Sequence, residues 1–205
     1  MIISPKTTDW PNLYKILTGS VVPRPIGWVS TVNEEGQNNL APYSFFNAVC
    51  SNPPTLLFCP AVPPPNENRP HKDTLANIRA TGEFVVNIVT ESTADAMNTS
   101  ATAFPPEVDE FQQAGLTPVA SEIVRPMRVS ESPIHFECKL NQIIEIGPRN
   151  PGAGNIVIGD IVMIHVADHL INDRFHIDME ALKPIGRLAG NAYCKVNHLF
   201  EIERR

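Results

Sequence analysis

No apolar run in this chain approaches the roughly 18 residues that a membrane helix needs, so a membrane partner is not expected. The opening residues, MIISPKTTDW, show no basic stretch followed by an apolar core. No secretory leader is read there, and a cytoplasmic setting is expected. Basic clusters are also absent. Sixteen Lys and Arg stand against 22 Asp and Glu, for a formal net charge of −6, which lacks the electrostatic footprint of a nucleic-acid binder. The four cysteines, Cys50, Cys59, Cys138 and Cys194, show no C-x-x-C spacing, so reduced and mostly buried thiols are expected. Nothing repeats internally, and the regular strand–helix alternation of a parallel sheet is missing. Charged residues make up only 19% of the chain against 42% hydrophobic. That balance excludes disorder over the whole length and fits one globular domain over residues 1–205.

Proline is what the chain has in excess, with 20 in 205 residues. The prolines cluster between elements, which points to short strands joined by shaped loops. The first strong element is GWVSTV (27–32), β-branched and followed by NEEG. Gly36 can supply the positive φ of a hairpin loop, and QNNLAPYSF returns as the partner strand. Alternation sets Trp28, Ser30 and Val32 on one face, with Val29 and Thr31 on the other. TLLFCP (55–60) reads as a buried strand. KDTLANIRATGEF changes period: Asp73 can cap a short helix over 73–80 that turns Leu75 and Ile78 inward, and Gly82 follows its end. FVVNIV (84–89) is again strand. Residues 91–130 form an embellishment, with helices expected near 91–98 and 107–114.

SPIHFECKLNQII (132–144) alternates, with Ile134, Phe136, Cys138 and Leu140 opposite His135, Glu137 and Lys139. A Gly/Pro turn then leads to NIVIGDIVMIHVADHLI, apolar on both faces as a central strand would be. About six or seven strands with few, short helices predict a mainly β fold, a closed or split β-barrel with short flanking helices.

Several local patterns have a plain structural explanation. The G-A-G within GPRNPGAGN lacks the full dinucleotide fingerprint and opens no helix, so a hairpin loop is the better reading. Asn98-Thr99-Ser100 matches a glycosylation tripeptide that has no meaning without secretion. His165 and His169 would share a strand face at a spacing of four, with His176 nearby, but no third metal ligand has matching spacing. Cys50 and Cys59 have no base near in sequence, which favours structural thiols over nucleophiles.

A stronger signal is the ordered set RPIGWVST (24–31), NLAPYSFFN (39–47), NPP (52–54) and KDTLANI (72–78). These pieces bring small hydroxyl residues at strand ends, adjacent aromatics, and a lysine at a helix N-terminus. Such a terminus, with unpaired N–H groups and a cation, is a natural phosphate seat. The alternative is a hairpin core followed by a capped helix.

In these segments, together with TGEFVVNI, FPPEVDEFQQAGLTP, ESPIHFECKL and IGRLAGNAY (185–193), the chain closely resembles the flavin reductase-like family with the FMN-binding split barrel. It looks most like the branch related to flavoredoxin and to the reductase components of two-component monooxygenases. The resemblance implies a homodimeric β-barrel that binds FMN near the subunit interface. It places Trp28, Val29, Ser30 and Thr31, and Ala41, Pro42, Tyr43, Ser44 and Phe45, along the isoalloxazine and ribityl chain. Asn47 adds a polar contact, and Lys72, Asp73 and Thr74 serve the phosphate. Arg187, in the closing motif, would reach the cofactor or the other subunit. Tyr43 and Phe45 fit ordinary hairpin core equally well.

The implied activity is an FMN-dependent oxidoreductase, an NAD(P)H:flavin reductase that takes a hydride from NADH or NADPH. Electrons would pass to a partner monooxygenase or another acceptor. FMN itself accepts the hydride, so no catalytic side chain is assigned. In one respect the chain departs from the family it resembles, whose smaller reductases often carry a Gly-Asp-His triplet associated with the nicotinamide donor. Here Gly159-Asp160 is followed by Ile161, and His165 stands five residues after Asp160. An electron carrier charged by another protein, or a non-catalytic flavin-binding protein, are the alternatives.

Overall fold

The fold is described from a computed structural model, over residues 1–63, 71–148 and 150–203. Most of the proline-rich tract at 61–70 therefore lies outside the described residues. The molecule is built on one seven-stranded antiparallel sheet. Its strands in chain order are β1 (Gly27–Val32), β2 (Asn38–Tyr43), β3 (Phe46–Ser51), β4 (Pro54–Phe58), β5 (Glu83–Ile88), β8 (Ile134–Ile146) and β9 (Gly154–Val166). Two short ribbons complete the β structure: β6 (Pro118–Val119) with β7 (Arg128–Val129), and β10 (Ile185–Arg187) with β11 (Tyr193–Lys195). Across the sheet the order is β2-β1-β5-β8-β9-β4-β3. Its edge strands, β2 and β3, do not pair with each other, so the sheet is not closed by a last pair of strands.

Helices flank it: α1 (Trp10–Ser20), α2 (Asp73–Thr81), α3 (Ala94–Thr99), α4 (Glu110–Gln113) and α5 (Met179–Leu182). None of the described helices is long and apolar enough to cross a membrane.

The hairpin between β1 and β2 forms as its sequence predicts, with Gly36 at φ 85°. The return, however, is two strands. The chain breaks at Ser44-Phe45 and restarts as β3, which pairs with β4 on the far edge of the sheet. α2 ends at Gly82 in the left-handed region, φ 71°, whose N–H bonds Ile78 O at 2.8 Å. At the other end the expectation needs correction. Lys72 occupies the N-cap in extended conformation, and Asp73 is the first helical residue. There its charge still favours the positive end of the helix dipole. α1 has no counterpart in the sequence expectations. Its Trp10, Tyr14 and Leu17 are about half exposed, so it lacks the buried stripe that would have marked it.

The core lies on both faces of the sheet. Val29, Leu56, Phe58, Leu75, Ile78 and Phe84 fill one side, where α2 packs. Trp28, Leu40, Met97, Phe111 and Val129 fill the other, beneath the 91–130 embellishment. Both faces of β1 are consequently buried along its whole length.

The polar face expected for the 132–144 strand is covered in the same way. His135 and Glu137 are buried, while Lys139 is exposed. Glu137 accepts hydrogen bonds from the backbone N–H groups of Glu122 (2.8 Å), Ile123 (2.7 Å) and Val124 (3.2 Å), and from His165 Nε2 (2.6 Å). These bonds hold its carboxyl below the ordinary range, outweighing the burial that acts to raise it. The histidine pattern is resolved by the end of β9 at Val166. His169 lies in the turn beyond, so it does not share a strand face with His165. All four cysteines are free, and of them only Cys138 is fully buried; Cys50 is exposed.

Candidate functional site

Three sets of bonds fix the end of α2 that points at β2. Asn39 Nδ2 donates to Thr31 Oγ1 at 3.0 Å and to Thr74 Oγ1 at 2.9 Å, and Asn77 Nδ2 donates to Thr31 Oγ1 at 3.0 Å. Thr31 and Thr74 are both buried, so these bonds form away from competing water. The start of α2 is thereby held against the β1–β2 hairpin. Lys72, Asp73 and Thr74 share a cleft of about 120 Å³ with Ala41, Pro42 and Tyr43. Five of its other wall residues come from 100–104, a segment that the sequence expectations had left outside the site.

Glu110 closes this cleft. It is 6% exposed and accepts the Leu40 N–H at 3.0 Å through Oε2. Burial pushes its carboxyl up to about 7, and the neighbouring Asp73 and Asp109 carboxylates add to the rise, against the lowering effect of its backbone hydrogen bonds. Near pH 7 such a carboxyl is about half protonated, which lessens a charge that would otherwise repel an anion from the seat. In sequence Glu110 is one acid among many. Its contact with Leu40, 70 positions away, sets it apart.

Pro42 and Ala101 also line a second cleft, of about 260 Å³, so the two cavities meet along β2. Ser44 and Arg187 belong to this second cleft, as does Arg24 from the RPIG segment. Phe45 is 42% exposed, with the Arg24 guanidinium 5.9 Å from its ring centroid. Asn47 is exposed on β3, where its Oδ1 accepts the Ala48 N–H at 2.9 Å. It lines neither cleft.

The β1 residues behave differently from the rest of the expected set. Trp28, Val29, Ser30 and Thr31 are fully buried and border neither cavity. Trp28 Nε1 donates to Ser100 Oγ at 2.9 Å, and Ser100 is part of the first cleft's wall. Ser30 Oγ donates to Met127 O at 2.6 Å. Val29 is core. These side chains act as the footing of the site, and their hydroxyls and indole N–H are committed within the protein.

The arrangement is a groove running from a lysine-bearing helix N-terminus, past half-buried backbone at 41–44, to a cavity with two arginines. A helix start with a nearby lysine can hold a phosphate, and exposed strand backbone can border a flat ring.

Comparison with known proteins identifies the family. The sequence pattern described as "Flavin reductase like domain" matches residues 18–178. The crystal structure of nitrilotriacetate monooxygenase component B from Bacillus cereus superimposes with a TM-score of 0.92 at 41% identity, covering 98% of each chain. The 2-nitrobenzoate 2-nitroreductase of Pseudomonas fluorescens gives 0.88 at 31% identity, over 100% of this chain and 96% of that one. A flavin reductase-like protein with a split-barrel domain from Shewanella frigidimarina gives 0.84 at 21% identity over 100% of both chains, a likeness of fold. With nearly four fifths of its length matched by the family's pattern and its fold by the split barrel, the chain belongs to the flavin reductase-like family.

Proposed function

We propose that the protein is an FMN-dependent flavin reductase that oxidises NADH or NADPH and passes the electrons to an acceptor, a partner monooxygenase among the candidates. The observation that carries this is the cleft in which Lys72, Asp73 and Thr74 meet Ala41, Pro42 and Tyr43. One phosphate seat with no dinucleotide fingerprint favours FMN over FAD. The residues fit the group. Lys72 and the first N–H groups of α2 would hold the phosphate, the 41–45 backbone would border the ring, and partial protonation of Glu110 would lessen the negative charge that Asp73 brings to the seat. Bound FMN would supply the hydride-accepting ring. The chain's own work is to seat the phosphate, orient the ring and exclude water from it. Arg187 stands across the adjoining cavity and is left out of the flavin set.

A homodimer fits the same picture. Val49 on β3 and Ile164 on β9 are each 50% exposed, and apolar surface of this kind is commonly covered by a second copy. Light scattering at micromolar concentration should give twice the 22.6 kDa chain mass.

The similarity to the monooxygenase component favours electron supply to an oxygenase, and that to the nitroreductase favours direct reduction of an aromatic acceptor. Lys72→Ala tests the shared premise. Hydrogen bonds to charged groups are worth about 1.5–3 kcal/mol, so FMN should bind roughly tenfold to a hundredfold more weakly. Riboflavin, lacking the phosphate, should bind both proteins equally. Equal FMN affinity in folded wild type and variant would move the phosphate elsewhere. Loss of the oxidised-flavin absorbance on adding NADH or NADPH anaerobically tests the donor.

A further inference from the structure

Arg24 and Arg187 face each other across an isolated antiparallel bridge. Arg24 N–H donates to Arg187 O at 3.0 Å, and Arg187 N–H to Arg24 O at 2.9 Å. Residues paired in this way carry their side chains on the same face, and like charges set opposite one another are destabilising. Among the described residues neither guanidinium forms an ion pair. The cleft of about 260 Å³ that both line has no Asp or Glu in its wall, although acids outnumber bases 22 to 16 in the chain.

The two arginines are held differently. Arg24 is 5% exposed and pinned by bonds to Thr18 O (2.6 Å), Val21 O (2.9 Å) and Leu188 O (2.9 Å), with Ser44 Oγ at 3.4 Å. The Thr18 and Val21 carbonyls belong to the C-terminal end of α1, where a cation is favourable. Arg187 is half-buried and lies over the Tyr193 ring, 4.4 Å from its centroid. Its only side-chain hydrogen bond among the described residues is to Gly190 O, and a guanidinium has five N–H donors. Most of its fork is therefore uncommitted while its plane is fixed by stacking. The remaining wall includes Tyr14, Ile26, Met97, Leu188 and Tyr193, largely flat or apolar.

We propose that this cleft is a binding site for a small aromatic carboxylate, gripped by Arg187, with Arg24 supplying the positive potential behind it. A guanidinium fork matches a carboxylate with two parallel hydrogen bonds. The cavity is below the roughly 300–1,000 Å³ of sites for drug-sized ligands, which fits a single ring; Arg187 and Tyr193 separate it from a larger cleft of about 660 Å³ whose wall includes Glu91 and Asp95. Since the cleft meets the other one at Pro42 and Ala101, its occupant would lie beside the flavin. That placement rests on the proposed function and identifies its acceptor as an aromatic acid; the binding itself does not depend on FMN.

Calorimetric titration of flavin-free protein tests the site with benzoate, with benzamide as its neutral isostere, and with inorganic phosphate and ADP-ribose as other anions. Benzoate should bind at least tenfold more tightly than benzamide. Arg187→Gln should weaken benzoate roughly tenfold to a hundredfold, and Arg187→Lys, which keeps the charge without the fork, by less. Thermal melting identifies a variant that has not folded, and the benzoate–benzamide comparison needs no variant. Equal affinity for benzoate and benzamide would overturn the proposal, as would unchanged benzoate affinity in both folded variants. Displacement of benzoate by phosphate or ADP-ribose at lower concentration would assign the arginines to another anion and overturn it too. FMN affinity that falls in step with benzoate affinity in the Arg187 variants would give the cleft to the cofactor.

Discussion

Replacing Glu110 by glutamine should remove a specific part of the pH dependence of stability. The carboxyl is raised from 4.5 to about 7 in the folded chain, chiefly by burial. At about 1.4 kcal/mol per pH unit, its ionised form is disfavoured by roughly 3 kcal/mol relative to the unfolded chain. Between those two values the folded state binds more protons than the unfolded state, so stability falls as pH rises. The contribution is fully present below pH 4.5 and is lost as pH passes through about 7. Glutamine carries no charge at any pH and keeps a carbonyl for the Leu40 N–H, at the cost of burying an amide of about 1–2 kcal/mol. Wild type should therefore be the more stable protein at pH 5, and the variant at pH 8. The quantity to measure is the stability difference between the two proteins, from urea unfolding at pH steps from 5 to 8. It should change by about 2.5 kcal/mol across that range whatever its starting value. Contributions from the other 21 acids cancel in the difference, because they are common to both chains. A difference constant to within about 0.5 kcal/mol would refute the raised carboxyl and the account of how the seat accepts an anion.

Glu137 should behave oppositely: its lowered carboxyl gives stability that is present above pH 4.5 and lost as pH falls. Glu137→Gln leaves one oxygen where two now serve four donors. It should cost about 2–4 kcal/mol and raise hydrogen exchange at the amides of residues 122–124; unchanged exchange there would show that the carboxylate does not tether the segment. Gly159→Ala would drive a methyl group into the buried Phe84 ring, which packs edge-on against Phe58 at 5.5 Å. A loss of about 1–3 kcal/mol is expected in urea unfolding, with Phe84→Leu recovering part of it in the double variant. If the two changes simply add, the contact is not what excludes a side chain at 159.

Local periodicity was enough to place β1, β5, β8 and β9, because each is a run of strand-formers bounded by glycine, proline or polar turns. The ends of the β1–β2 loop and of α2 were legible for a related reason: Gly36 and Gly82 occupy left-handed backbone that a side chain disfavours. The family was legible too, since several segments in fixed order carry information that no single motif does.

Contacts far apart in the chain were decided by tertiary structure alone. Alternation along β1 marks two faces, but only the layers packed on either side make both of them core and turn Trp28, Ser30 and Thr31 into supports. The break between β2 and β3 places two consecutive segments on opposite edges of the sheet, a choice made by pairing with β4 rather than by the residues at 44–45. α1 has little burial of its own and is held at its end through Arg24, which reaches Thr18 and Val21 locally but Leu188 across 164 positions. Glu110 and Arg187 gain their chemistry in the same way. A carboxyl is raised by the low-dielectric space that the fold encloses, and a guanidinium keeps most of its donors open because folding lays it over the Tyr193 ring rather than against a carboxylate. Neither effect is a property of the residue or its neighbours in sequence.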